Sequence, residues 1–169
     1  THLGHSFPTR RSSDLKMDLT KFFGEAVIIR VTDKNPCEEI TMEDMKPYLK
    51  KIIGKKIILF NTNWYKKAGT DEFFQHPYLS IEVAQYLING GVEMICIDTL
   101  NADKSLGTEF PVHELFSDNN QMIGENMGYF DDIDFENPII AVFPLKFIGL
   151  DGSPVRIVAL DLEFTCCDK

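Results

Sequence analysis

The run SIEVAQYLINGGVEMICID, residues 80–98, decides the class of fold. Ser80 carries a hydroxyl that can accept a backbone N–H from the turn after it, so it marks a helix start. Ile81, Ala84, Leu87 and Ile88 then recur at the intervals that place an apolar stripe on one helix face. Asn89, Gly90 and Gly91 tolerate left-handed backbone and close the helix. VEMICID, residues 92–98, follows as a short buried strand. Upstream, KKIILFNT, residues 55–62, is apolar at four successive positions, as a strand covered on both faces tends to be.

Outward from this unit the alternation continues. EAVIIRV, residues 25–31, is a β-branched run after Gly24 that ends at a polar turn containing Pro36. ITMEDMKPYLKKII, residues 40–53, has Thr41 as an N-cap, acids in its first turn and Lys50 and Lys51 near its end. Pro47 interrupts it, so the helix starts late or is kinked, and Gly54 closes it. The last third reads as two strands, 139–148 and 155–164, joined by GLDGS with Asp151-Gly152 as a tight-turn pair. The fold class is α/β with a mixed sheet, because a hairpin closes the parallel part.

At 169 residues and 44% hydrophobic, the chain has apolar material for one domain with a sizeable core. Its net charge is −9 and no basic run tracks a phosphate backbone, which excludes nucleic acid as an expected partner. The longest apolar runs, 57–60 and 138–142, are too short to span a bilayer. No charged segment followed by an apolar stretch signals export, although a chain missing its true start could have lost one. Cys37, Cys96, Cys166 and Cys167 form no C-x-x-C pattern, and neighbouring cysteines do not easily bridge each other. Reduced thiols and a cytoplasmic location are expected, with Cys96 a small core residue.

The chemistry-bearing residues fall between these elements. FPVHELFSDNNQMIGEN, residues 110–126, places His113 and Glu125 twelve residues apart. An imidazole nitrogen and a carboxylate oxygen together suit zinc or manganese. Two donors are fewer than the three a catalytic site draws from protein, and a loop histidine with an exposed glutamate is the simpler reading of the pair alone. Asp98 and Asp103 follow a strand end, where α/β sites lie, or else Asp98 caps the next turn. Trp64 either walls a pocket for a planar substrate or belongs to the core. His76, before a proline, is a satisfied loop histidine or a substrate contact. Arg156 is expected to pair with a carboxylate and fix the hairpin.

The order FFGEAVIIRV, ITMEDM, ILFNTNW, FFQHPYLSIEVAQYLINGGVEMICIDTLNAD, PVHELF, IGEN, PLKFIGLDGSPVRIVA resembles the cyclase family of metal-dependent hydrolases. That family includes kynurenine formamidases and isatin hydrolases. The likeness runs from about residue 18 to 159, and GVEMICIDTLNAD, the His113–Glu125 spacing and GSPVR carry most of it. It implies a swivelling β/β/α domain that forms homo-oligomers and binds a divalent metal, Zn or Mn. It also implies that His113 and Glu125 are metal ligands. The family's remaining ligands, two His and one Asp, lie in an upstream H-x-G-T-H-x-D-x-P-x-H motif whose last His transfers a proton. The reaction implied is hydrolysis of an amide or cyclic amide C–N bond in a small molecule, of the kynurenine formamidase or the isatin hydrolase kind. A non-catalytic relative that keeps the fold is the alternative.

THLGHSFPTRRSSDL, residues 1–15, stands where that motif belongs and departs from it. The Thr is missing, Phe7 falls near the place of the Asp, no His follows Pro8, and Arg10 and Arg11 would oppose a cation. A common sequencing-adapter sequence translates to HSFPTRRSSDL, which matches residues 5–15 throughout. Residues 1–15 are therefore expected to be non-native and outside the fold, with THLG either more of the same or the last native piece of an H-x-G half-motif. Residues 16–169 are then a single hydrolase domain lacking its N-terminal metal-motif region, and inactive as it stands.

Overall fold

The computed structural model describes residues 3–7, 18–105, 107–147, 150 and 152–162, with the backbone alone at 3–7. Seven strands form one closed barrel: β1 (Leu3–Phe7), β2 (Phe23–Arg30), β4 (Ile57–Asn61), β6 (Met94–Ile97), β7 (Met122–Glu125), β8 (Ile139–Pro144) and β9 (Ser153–Leu160). Their order around it is β1-β7-β6-β4-β2-β8-β9. The stretch from β2 through β4 and β6 to β7 is parallel. The pairs of β2 with β8, β8 with β9, and β1 with both β9 and β7 are antiparallel. Two short strands, β3 (Glu39–Ile40) and β5 (Tyr78–Leu79), pair separately in parallel.

The expected α/β class and mixed sheet are both present. β4 shows why its sequence is a continuous apolar run. Successive side chains on a strand point to opposite faces. Ile57 and Leu59 enter the barrel interior with Met94, Cys96, Met122, Ile140 and Val142. Ile58 and Phe60 face outward, against Leu87 of helix α3 (Ile81–Asn89) and Phe116 of helix α4 (Pro111–Asp118). Both faces are dry, so neither alternate position can be polar.

Local signals set the helix ends. The Ser80 side chain accepts the Val83 N–H at 3.1 Å, and Gly91 takes φ +81° beyond α3. Pro47 splits its segment into α1 (Met42–Met45), a 3-10 turn and α2 (Leu49–Ile52). Thr41 and Asp44 close the capping box at the start, with the Thr41 N–H donating to Asp44 Oδ2 at 2.7 Å.

Two expectations change. β8 ends at Pro144, not at 148, and β9 begins at Ser153, not at 155; residues 148, 149 and 151, and with them the expected Asp151-Gly152 turn, lie outside the described residues. Beside the strand ends the Ser153 hydroxyl accepts from the Leu145 N–H at 2.7 Å. Arg156 is exposed and, among the described residues, pairs with no carboxylate, because its strand turns it outward. The second change concerns the opening. Residues 3–7 pair as β1, with His5 opposite Glu125 and Gly4 opposite Val155. Strand pairing uses backbone groups that any residue but proline supplies, so the departure from the family motif does not prevent it. Residues 1, 2 and 8–15 lie outside those described.

Candidate metal centre

β4, β6 and β7 run parallel and end at one edge of the barrel, and the loops that follow carry the polar residues. This is where ligand sites of parallel sheets collect, beyond the carboxyl ends of the strands. His113 and Glu125 meet here, with His113 Nε2 3.3 Å from Glu125 Oε1. Neither lies in a loop. His113 is in the first turn of α4, and Glu125 is the last residue of β7, 1% exposed where an exposed side chain was expected.

Asp103 organises the pair. Its two oxygens accept the N–H groups of Val112 and His113 at 2.9 and 3.0 Å, which caps α4 from outside the helix. Pro111 at the first helical position has no N–H to satisfy. The same Oδ2 lies 2.7 Å from His113 Nδ1. One carboxylate thus fixes both the helix start and the ring, leaving Nε2 aimed at Glu125. The Ala102 N–H donates to Glu125 Oε1 at 2.6 Å and holds that carboxylate in turn. Burial disfavours a charged His113, but the hydrogen bonds and charges of Asp103 and Glu125 outweigh it and lift the imidazole to about 9. In the metal-free chain an imidazolium therefore bridges two carboxylates.

The other expected residues surround this pair without joining it. Asp98, fully buried, accepts the Thr62 N–H on both oxygens at 3.0 and 3.1 Å and the Thr62 hydroxyl at 2.6 Å. It ties the end of β6 to the end of β4, and burial lifts its carboxyl to about 6 in spite of those bonds. Trp64 is buried; its indole N–H donates to the Phe73 carbonyl at 3.3 Å, and Lys67 Nζ stands 3.6 Å over its ring. His76 is buried with both ring nitrogens engaged, by the Pro77 carbonyl and the Ser105 hydroxyl. Tyr65 and Lys66 both bind Asp131, at 2.7 Å each, which fastens the loop after β7 to the loop after β4.

Among the described residues no group of three or more His, Cys, Asp or Glu is placed to hold a metal. The donor set nonetheless fits one: His113 Nε2, once its proton is displaced, and a Glu125 carboxylate oxygen face each other. The second ring nitrogen is held by a further carboxylate, the usual way a metal-ligating histidine is oriented.

Residues 2–104 match the family model described as putative cyclase. The chain belongs to this family. It is 28% identical over 145 residues to the kynurenine formamidase of Bacillus mycoides, covering 85% of this chain and 66% of the relative. To that of Bacillus cytotoxicus it is 25% identical over 148 residues, with the same coverage. The chain thus spans 66% of the length of these curated relatives. Among solved structures, an isatin hydrolase bound to the product analogue thioisatinate superposes with a TM-score of 0.83 at 19% identity, covering 95% of this chain and 71% of that one. Isatin hydrolase A from Ralstonia solanacearum gives 0.79 at 22%, covering 92% and 70%. A potential metal-dependent hydrolase with cyclase activity gives 0.80 at 21%, covering 95% and 78%. These likenesses carry the fold.

Proposed function

We propose that the protein to which this chain belongs is a metal-dependent hydrolase that opens an amide or cyclic amide C–N bond in a small molecule, of the kynurenine formamidase kind. The observation that carries the reading is the His113–Glu125 pair, 3.3 Å apart and oriented by Asp103. His113 Nε2 and Glu125 would hold a divalent cation, zinc or manganese. When bound, such an ion supplies a water of lowered pKa and polarises the scissile carbonyl. Asp103 would hold the ring proton on His113 Nδ1 so that Nε2 is the nitrogen turned to a cation, while the Ala102 N–H keeps Glu125 turned into the site. Loops rich in aromatic residues, with Trp64 and Tyr65 after β4 and Tyr129 after β7, stand at the same barrel edge and suit a planar substrate.

The register of β1 supports the ligand reading from the other side. His5 lies opposite Glu125, so the strand that carries a histidine-rich family motif would run beside this carboxylate. Residues 5–15 we read as adapter-derived, a reading tested by sequencing the gene upstream of Lys16. A homo-oligomer in the cytoplasm, without nucleic-acid or membrane partners, completes the proposal; no described helix is long and apolar enough to cross a membrane.

The test uses the chain with a family-type H-x-G-T-H-x-D-x-P-x-H start. Metal content and hydrolysis of N-formylkynurenine and isatin are measured for it and for its His113→Ala and Glu125→Ala variants. Both substitutions should lower metal content and turnover in parallel. Unchanged metal content in His113→Ala would remove this centre from the mechanism.

A further inference from the structure

His76 and Ser105 come from different loops, one just before β5 and one after β6, and they meet beside the metal centre without belonging to it. His76 Nδ1 lies 2.8 Å from the Pro77 carbonyl oxygen. A carbonyl only accepts, so Nδ1 carries the ring proton and Nε2 presents its lone pair. The Ser105 hydroxyl is hydrogen-bonded to that Nε2, and with this tautomer it must be the donor. A hydroxyl aimed at a bare imidazole nitrogen, with the ring's other nitrogen pinned by a third group, is the arrangement that activates a serine.

The surroundings keep the base ready. His76 is 2% exposed, and burial lowers its pKa while the Pro77 carbonyl and the Glu125 charge act in the opposite direction. The ring is therefore neutral at neutral pH, and the nearby Glu125 charge favours the imidazolium once a proton arrives. Ser105 is only half-buried, unlike His76.

We propose that Ser105 is a nucleophile activated by His76, a second reactive centre that takes the acyl group of a small activated ester. Ser105 Oγ attacks the acyl carbon as its proton passes to His76 Nε2. The bond from that carbon to the leaving oxygen then breaks, and the leaving oxygen collects the proton from His76. The products are acyl-Ser105 and a free phenol or alcohol, with His76 neutral again.

The 169-residue chain is treated with p-nitrophenyl acetate in excess EDTA, so that no metal-bound activity contributes and failure of the metal reading leaves the result untouched. Nitrophenol release and peptide mass mapping are followed. One acetyl group per chain should appear on Ser105, be absent in Ser105→Ala, and form at least about 100-fold more slowly in His76→Gln, the usual contribution of a positioned base. Acetylation of lysines with none on Ser105, or an unchanged rate in His76→Gln, would overturn the proposal. A fluorophosphonate probe on the unaltered chain gives a reading independent of variant folding: an adduct on Ser105 supports the proposal, and no adduct there overturns it.

Discussion

At Asp103 a single carboxylate meets the Val112 and His113 N–H groups and the His113 ring, so its loss is felt at a helix end and at the candidate ligand together. The folded pKa of His113, about 9 against an ordinary 6.5, makes this coupling visible in the metal-free chain. A raised histidine pKa contributes stability that is complete below pH 6.5 and is lost as pH rises through about 9. Asp103→Asn should therefore destabilise by about 1–3 kcal/mol in acid. Denaturant titrations with chelator present should show the gap to wild type narrowing above pH 9. Asp98 has a slope of the same sign, in a more acid window. Its folded pKa is raised from 3.8 to about 6, so the ionised form is a cost at neutral pH that is relieved as pH falls between those values. Over that window it should add on the order of 3 kcal/mol on acidification. Asp98→Asn should remove this part of the pH dependence, and a variant with the wild-type slope would show that Asp98 does not titrate there.

α4 is the element the sequence conceals best. Val112, Leu115 and Phe116 make a helical stripe and Pro111 suits a first turn, but Phe110 cannot cap and no capping residue adjoins it. The cap comes from Asp103, too far along the chain for a local pattern to reveal. His113 was legible as a candidate through its residue type, its spacing to Glu125 and the family resemblance, while its helix was not. β7 is hidden differently: four residues, one of them glycine, give too little alternation to show that Glu125 is buried. α3 and β4, by contrast, were legible because Ser80 caps locally and the IILF run packs on both faces. Phe116, 1% exposed, anchors α4 to the sheet. Phe116→Ala should cost about 3–5 kcal/mol, read as a lowered denaturation midpoint. Gly124 lies against β7's neighbours so closely that an added Cβ would stand 2.2 Å from Met127 Cε. Gly124→Ala should cost about 1–3 kcal/mol, kept modest because that methyl ends a flexible side chain.

Across the whole molecule, the barrel joins β1 to both β7 and β9, so whatever sequence fills residues 3–7 is placed beside Glu125. Replacing the opening with a family-type motif should let added zinc raise the melting temperature, by the equivalent of about 2.7 kcal/mol at a hundredfold excess over Kd. The chain as it stands should show little shift in the same scan; an equal shift in both would mean that the opening contributes no ligand. The barrel interior has a consequence of another kind. Met94, Met122 and Met127 line it together with Cys96, and all are within 1% of full burial. Peroxide converts methionine to a polar sulfoxide that a dry interior cannot accept without disruption. While the barrel stays shut these sulfurs are out of reach, so their oxidation keeps time with its opening, and each opening caught by oxidant leaves a barrel that no longer closes as before.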